Sequence, residues 1–141
     1  LSEVSVKEAE EGDVLEKGHV YVAPGGMHME VVKAHGNTHR IKLDDLPPIG
    51  GLRPCANIMF DSLAKTDYDE IICIVLTGMG ADGTNGILSL NRTKPIHVIA
   101  QDAQTCVVYG MPRAIAEAGM VDEVVPLTAV AKTIIKNVGV K

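Results

Sequence analysis

The sequence predicts an α/β domain: a doubly wound, mostly parallel sheet with helices on both faces, plus an antiparallel hairpin. Three observations carry this. From residue 71 onward, strand-like runs alternate with helix-like segments, as in "IICIVL", "TNGILSLNR" and "HVIAQD". The first of these runs is apolar at every position, the pattern of a strand buried on both faces. Around residues 18–44, strand-like runs are instead separated by "PGG" and "GN", which are turn signals.

Taken in chain order, "VSVKEAE" alternates apolar and polar residues and reads as a short strand, and the overlapping acidic cluster "EAEEGD" reads as a solvated turn. Runs 19–23, 28–33 and 39–43 follow as strands of an antiparallel hairpin or small meander. "LPPIGGLRPC" is a Pro/Gly-rich loop. "ANIMFDSLAKT" then has helical spacing, with Ile58, Met59, Leu63 and Ala56 sharing a face. The strand–helix repeats occupy about 55–138: strand 71–76, helix 84–92, strand 96–100 and helix 111–118 closed by Gly119. A short strand in "DEVVPL" and a final helix, 128–138, complete them, with Thr128 as N-cap.

At 141 residues and 15.0 kDa the chain is long enough for one domain with its own core. Its 46% hydrophobic and 22% charged content is that of a globular protein. Thirteen basic against eighteen acidic residues leave a net charge of −5, and there is one Phe, three Tyr and no Trp. A nucleic-acid surface needs the opposite charge and base-stacking aromatics, so none is expected. Cys55, Cys73 and Cys106 are odd in number and widely spaced, which fits reduced thiols in a cytoplasmic protein. No apolar stretch approaches the ~20 residues of a bilayer span and no signal-peptide pattern is present, so membrane insertion is not expected.

The sharpest local signal is "VLTGMGADGTNG", a G-x-G-x-x-G made by Gly78, Gly80 and Gly83 between a strand and a helix. An acid, Asp102, ends the next strand about twenty residues later, completing a dinucleotide-binding pattern. Against that reading, Asp82 would set a negative charge at the helix N-terminus, where a pyrophosphate needs unopposed N–H donors. Alternatively, the glycines let the backbone turn sharply and present the Asp82 carboxylate at the strand end, where it would support a histidine in an acyl-transfer triad. A third reading makes Asp82 an N-cap of helix 84–92. The residues alone leave all three open.

Other constellations are weaker. His35 and His39 form H-x-x-x-H, with His19 and His28 nearby, but a turn lies between them and no third ligand is placed, so no metal is expected. His28 reads as a hairpin residue packing on its sheet, and His97 as a structural strand residue. Ser2, Ser5, Ser62 and Ser89 have no partner histidine at hand, and no G-x-S-x-G elbow occurs. Cys106 faces a strand end but needs no role beyond that of a small hydrophobe. Residue by residue, the chain holds a candidate triad acid and nothing for it to act through.

"KEAEEGDVLEKGHVYVAPGGMHMEV", "LTGMGADGTNGI", "AQDAQTCVVYGMPRAIAEAG" and "VDEVVPL" resemble the CheB-type protein-glutamate methylesterases of chemotaxis, over about residues 5 to 130. The resemblance implies a cofactor-free, doubly wound α/β esterase that hydrolyses glutamate methyl esters, and deamidates glutamines, on methylated chemoreceptors. It implies that Asp82 is the triad Asp, that Met79 lines the active site and supports the oxyanion through its backbone N–H, and that a receiver domain regulates the parent protein. The family's Ser-Thr turn and its His-Met-Pro block are absent from this sequence. The resemblance therefore implies that residues 1–141 are the C-terminal portion of a catalytic domain whose serine and histidine lie upstream of Leu1, and that this chain alone is inactive. With the nucleophile strand missing, "IICIVL" would carry an open, apolar edge, so the isolated chain is expected either to self-associate through it or to have it covered by upstream residues outside this sequence. "RPCANIMF" departs from the family pattern by placing Cys55, Ala56 and Asn57 where Ser, Val and Asp are expected.

Overall fold

The computed structural model describes residues 4–139, which fall into two compact units divided after Asp67. The first unit holds β1 (Ser5–Glu8), β2 (His19–Val22), β3 (His28–Lys33), β4 (His39–Asp44) and α1 (Ala56–Leu63). The second holds β5 (Ile71–Val75), α2 (Thr84–Asn91), β6 (Ile96–Gln101), α3 (Gly110–Glu117), β7 (Glu123–Val125) and α4 (Val130–Val138).

In the first unit β3 and β4 form the expected antiparallel hairpin, in the register Val31↔Ile41, with both of those residues buried. The meander is not continued. β2 pairs in parallel with β1 instead, Val6 opposite Val20, in a separate two-stranded sheet. Alternation told which residues share a face of a strand but not which strand lies beside it. The acidic cluster is a turn held by its own charges. Asp13 accepts from the Glu10 N–H at 2.9 Å and from Lys7 Nζ at 3.1 Å. Helix α1 packs on β3, and the residue it buries is Phe60, while Ala56, Ile58, Met59 and Leu63 are only partly covered. Ser62 ties the two elements together, accepting from the Val31 N–H and donating to the Met59 carbonyl.

In the second unit β5, β6 and β7 form a parallel sheet with β6 in the middle. The central position explains burial: Val98, Ile99, Ala100 and Gln101 of β6 are all at or below 2% exposure. β5 is apolar throughout but pairs only with β6 among the described residues, and of its five residues only Cys73 and Val75 are buried. Burial pushes the Cys73 thiol up to about 11, as expected of a cysteine acting as a small core hydrophobe. α3 packs against β5 and β6, and Ile115 is its fully buried anchor. Thr128 does not cap α4. It lies inside a 3₁₀ turn, Leu127–Ala129, that precedes the helix, and Ala129 occupies the cap position. Thr133 is buried on α4 and returns its hydroxyl to the Ala129 carbonyl.

Candidate functional site

In parallel sheets, chemistry gathers where strands deliver their carboxyl ends, and here the turn after β5 and the loop after β6 meet at that edge. The glycines of the first turn do different jobs. Gly80 and Gly83 have φ of +86° and +98°, the left-handed region that side chains avoid, so they reverse the backbone within four residues. Gly78 has no such φ. A Cβ there would meet the Met111 side chain, the nearest atom being Met111 Sδ. Asp82 sits between the two left-handed glycines, half-buried, immediately before Gly83, which is the cap residue of α2. Met79, in the same turn, exposes 84% of its surface.

The loop after β6 is stitched to this turn by backbone. Gly78 N–H donates to the Val108 carbonyl at 2.9 Å, and Met111 N–H donates to the Gly78 carbonyl at 2.9 Å. The second bond satisfies a first-turn N–H of α3 that has no intrahelical partner. Thr77 reads the same loop through its hydroxyl, donating to the Val108 carbonyl at 3.0 Å and accepting the Val108 N–H at 2.9 Å. Gly110 presses directly on the glycine turn. A Cβ at Gly110 would lie 2.9 Å from both the Gly78 oxygen and the Gly80 nitrogen.

This geometry gives the dinucleotide reading no support. The Gly80 backbone, where a pyrophosphate would need open donors, has the Gly110 backbone packed against it. Asp102 is held in a local turn rather than offered to a ribose: its Oδ1 accepts from Thr105 N–H at 3.0 Å and from Thr105 Oγ1 at 2.6 Å. The cap position of α2 is held by Gly83, one residue after Asp82.

Four of the five histidine rings have hydrogen-bond partners, that of His19 through the Lys17 carbonyl at 3.0 Å. His28 is 1% exposed, with Nε2 bound to the Pro47 carbonyl at 3.0 Å. His39 is buried and its Nε2 accepts the Asp67 N–H at 3.1 Å, and His35 stays exposed in the hairpin turn. Among the described residues no group of three or more His, Cys, Asp or Glu is arranged to hold a metal ion. His97 pairs with Glu123 at 2.6 Å. Of the serines, Ser62 is engaged as above, Ser5 opens β1, Ser89 lies on α2, and Ser2 falls outside the described residues. Cys106 is half-buried in the loop after β6. Cys55, the first of the three departures in "RPCANIMF", is buried and precedes α1. No helix of the described residues is long and apolar enough to cross a membrane.

Sequence reasoning missed Gln101. It is 1% exposed at the end of the central strand, and its carboxamide bridges the two loops. The available signal was a neutral amide closing an otherwise apolar buried strand, where polar side chains are rare unless hydrogen-bonded.

Comparison with known proteins points to one family. A family model described as CheB methylesterase matches residues 1–134. A protein-glutamate methylesterase/protein-glutamine glutaminase of Geobacillus kaustophilus is 42% identical over 139 residues, covering 99% of this chain and 40% of that protein. The relative of the same name from Pyrococcus horikoshii is 46% identical over 138 residues, covering 98% of this chain and 37% of that protein. The chain thus spans about two fifths of the length of these curated relatives. The crystal structure of the Thermotoga maritima CheB methylesterase catalytic domain superposes with a TM-score of 0.85 at 37% identity, covering 92% of this chain and 68% of that one.

Proposed function

Because the chain belongs to the CheB methylesterase family, we propose that it is the C-terminal portion of a catalytic domain whose whole protein hydrolyses glutamate methyl esters on methylated chemoreceptors. Deamidation of receptor glutamines is part of the same proposal, and so is regulation by a receiver domain. The observation that carries the reading is the position of Asp82: a half-buried acidic residue between two left-handed glycines in the turn that follows a parallel strand.

In this mechanism a serine and a histidine come from the part of the protein outside this sequence. The serine oxygen adds to the ester carbonyl while the histidine takes its proton. The histidine then gives that proton to the departing methoxide, releasing methanol and leaving an acyl-serine. Water, activated by the same histidine, frees the glutamate carboxylate and the serine. Asp82 holds the imidazole in the working tautomer and stabilises its charged form. The Met79 backbone N–H supports the oxyanion, a role that places no demand on its exposed side chain. The relatives' shared name, methylesterase and glutaminase, fits one acyl-transfer site acting on two leaving groups.

The test is methanol release from a methylated chemoreceptor. The full-length protein is expected to release it and the 141-residue chain is not. A full-length protein without esterase activity, or a 141-residue chain with it, would overturn the assignment.

A further inference from the structure

The carboxyl ends of β5, β6 and β7 are joined by one continuous side-chain network centred on Gln101. Gln101 Oε1 accepts the Thr77 N–H at 2.8 Å, where β5 gives way to the Asp82 turn. Its Nε2 donates to the Thr105 carbonyl at 2.8 Å and to Thr105 Oγ1 at 3.2 Å. Thr105 Oγ1 donates in turn to Asp102 Oδ1 at 2.6 Å and accepts the Leu127 N–H at 3.0 Å, just past β7. Asp102 N–H donates to the Val125 carbonyl at 2.9 Å, closing the circuit on β7.

The amide orientation is fixed by chemistry. Thr77 offers only an N–H and the Thr105 carbonyl offers only lone pairs, so oxygen must face the first and nitrogen the second. With one bond accepted and two donated, and the Thr105 hydroxyl donating once and accepting twice, the network leaves little slack. Thr77 is the last residue before the glycine turn, and left-handed Gly80 and Gly83 give that turn little stiffness of its own.

We propose that Gln101 is a positioning residue for the hydrolysis: its buried carboxamide fixes the start of the Asp82 turn against the loop after β6. The inference rests on the methylesterase reading for its effect on turnover, while the coupling of the loops stands on geometry alone. Gln101 touches no reacting atom. It acts through Thr77 and the turn that carries Asp82 and Met79.

Two substitutions in the full-length protein test this. Gln101→Met fills the same space but can neither accept from Thr77 nor donate to Thr105. It should lower kcat by about 10²-fold, the scale of an ångström-sized misplacement, with KM little changed. Gln101→Glu keeps an acceptor for Thr77 but, when ionised, turns a second anionic oxygen on the Thr105 carbonyl. Protonated, it donates there as the amide does. The kcat ratio of Gln101→Glu to wild type should therefore approach one at low pH and fall as pH rises. Asp102, the titratable side chain that shares Thr105 with residue 101, is present in both proteins, so the pH dependence of the ratio arises from the carboxyl introduced at 101 and its coupling to Asp102. Amide exchange of the segment containing Thr77, at pH values where circular dichroism shows both variants folded, reads the coupling without reference to activity. It should be faster in Gln101→Met than in wild type. Unchanged exchange in Gln101→Met would overturn the coupling, and a pH-independent Gln101→Glu ratio, or a folded Gln101→Met with wild-type kcat, would overturn the positioning role. An inactive wild-type protein would instead overturn the methylesterase reading, with the exchange result still deciding the coupling.

Discussion

Gly110 and Gly78 show how closely the two strand-end loops approach. Both would acquire a Cβ in contact with the opposite loop, yet what that Cβ meets differs. At Gly78 it meets the end of the flexible Met111 side chain, which can swing aside. At Gly110 it meets the backbone of Gly78 and Gly80, which cannot move without carrying Asp82 along. Gly110→Ala gains helix propensity of about 1 kcal/mol at most, against an overpacking cost of about 1–3 kcal/mol. The clash should win. Urea unfolding is expected to show Gly110→Ala destabilised, and more so than Gly78→Ala. The reverse order would mean that the acid turn yields more easily than the Met111 side chain.

At the scale of elements, the last helix is clipped to the sheet through Glu123 of β7. Its Oε1 accepts from Lys136 on α4 at 2.7 Å, and its Oε2 accepts from Asn137 at 3.0 Å and pairs with His97 of β6 at 2.6 Å. Lys136 first, then His97 and Asn137, hold the Glu123 carboxyl down from its ordinary 4.5 to about 2. A carboxylate depressed on folding adds stability that is complete above its unfolded value and is lost as pH falls through the folded one. Glu123→Gln should therefore lower the melting temperature near neutral pH, and its difference from wild type should shrink between pH 4.5 and about 2. A constant difference across that window would remove the clip from the account. Much at this scale was legible in the sequence. β5, α2, β6 and α3 follow from an unbroken apolar run, a glycine turn and regular alternation, because those patterns express burial within one element. Which strand β2 pairs with, and the 3₁₀ turn at Thr128, depend on neighbours distant in sequence and carry no local pattern. The glycine turn around Asp82 was legible for the first reason, since Gly80 and Gly83 lie close to it in sequence. Gln101 was not, because its partners Thr77 and Thr105 come together only once the sheet has formed.

For the molecule as a whole, the telling feature is the sheet edge. β5 pairs on one side with β6, and among the described residues no strand of the second unit pairs with its other side, although it is apolar from Ile71 to Val75 and exposed Leu76 follows. Such an edge is a template for another strand. Taken alone, the 141-residue chain is expected to self-associate, and light scattering at verified mass would show it; a stable, cooperative monomer would contradict this. In the Thermotoga maritima catalytic domain about a third of the chain has no counterpart here, as the 68% coverage implies. The account as a whole stands on Asp82 as the acid of a triad completed elsewhere in the protein. The direct measurement is the turnover of methylated receptor by full-length Asp82→Asn, with circular dichroism to confirm its fold. A native spectrum and a kcat reduced by up to ~10⁴-fold are expected, the loss that follows when a triad acid is neutralised. A folded variant that turns over at the wild-type rate would contradict it.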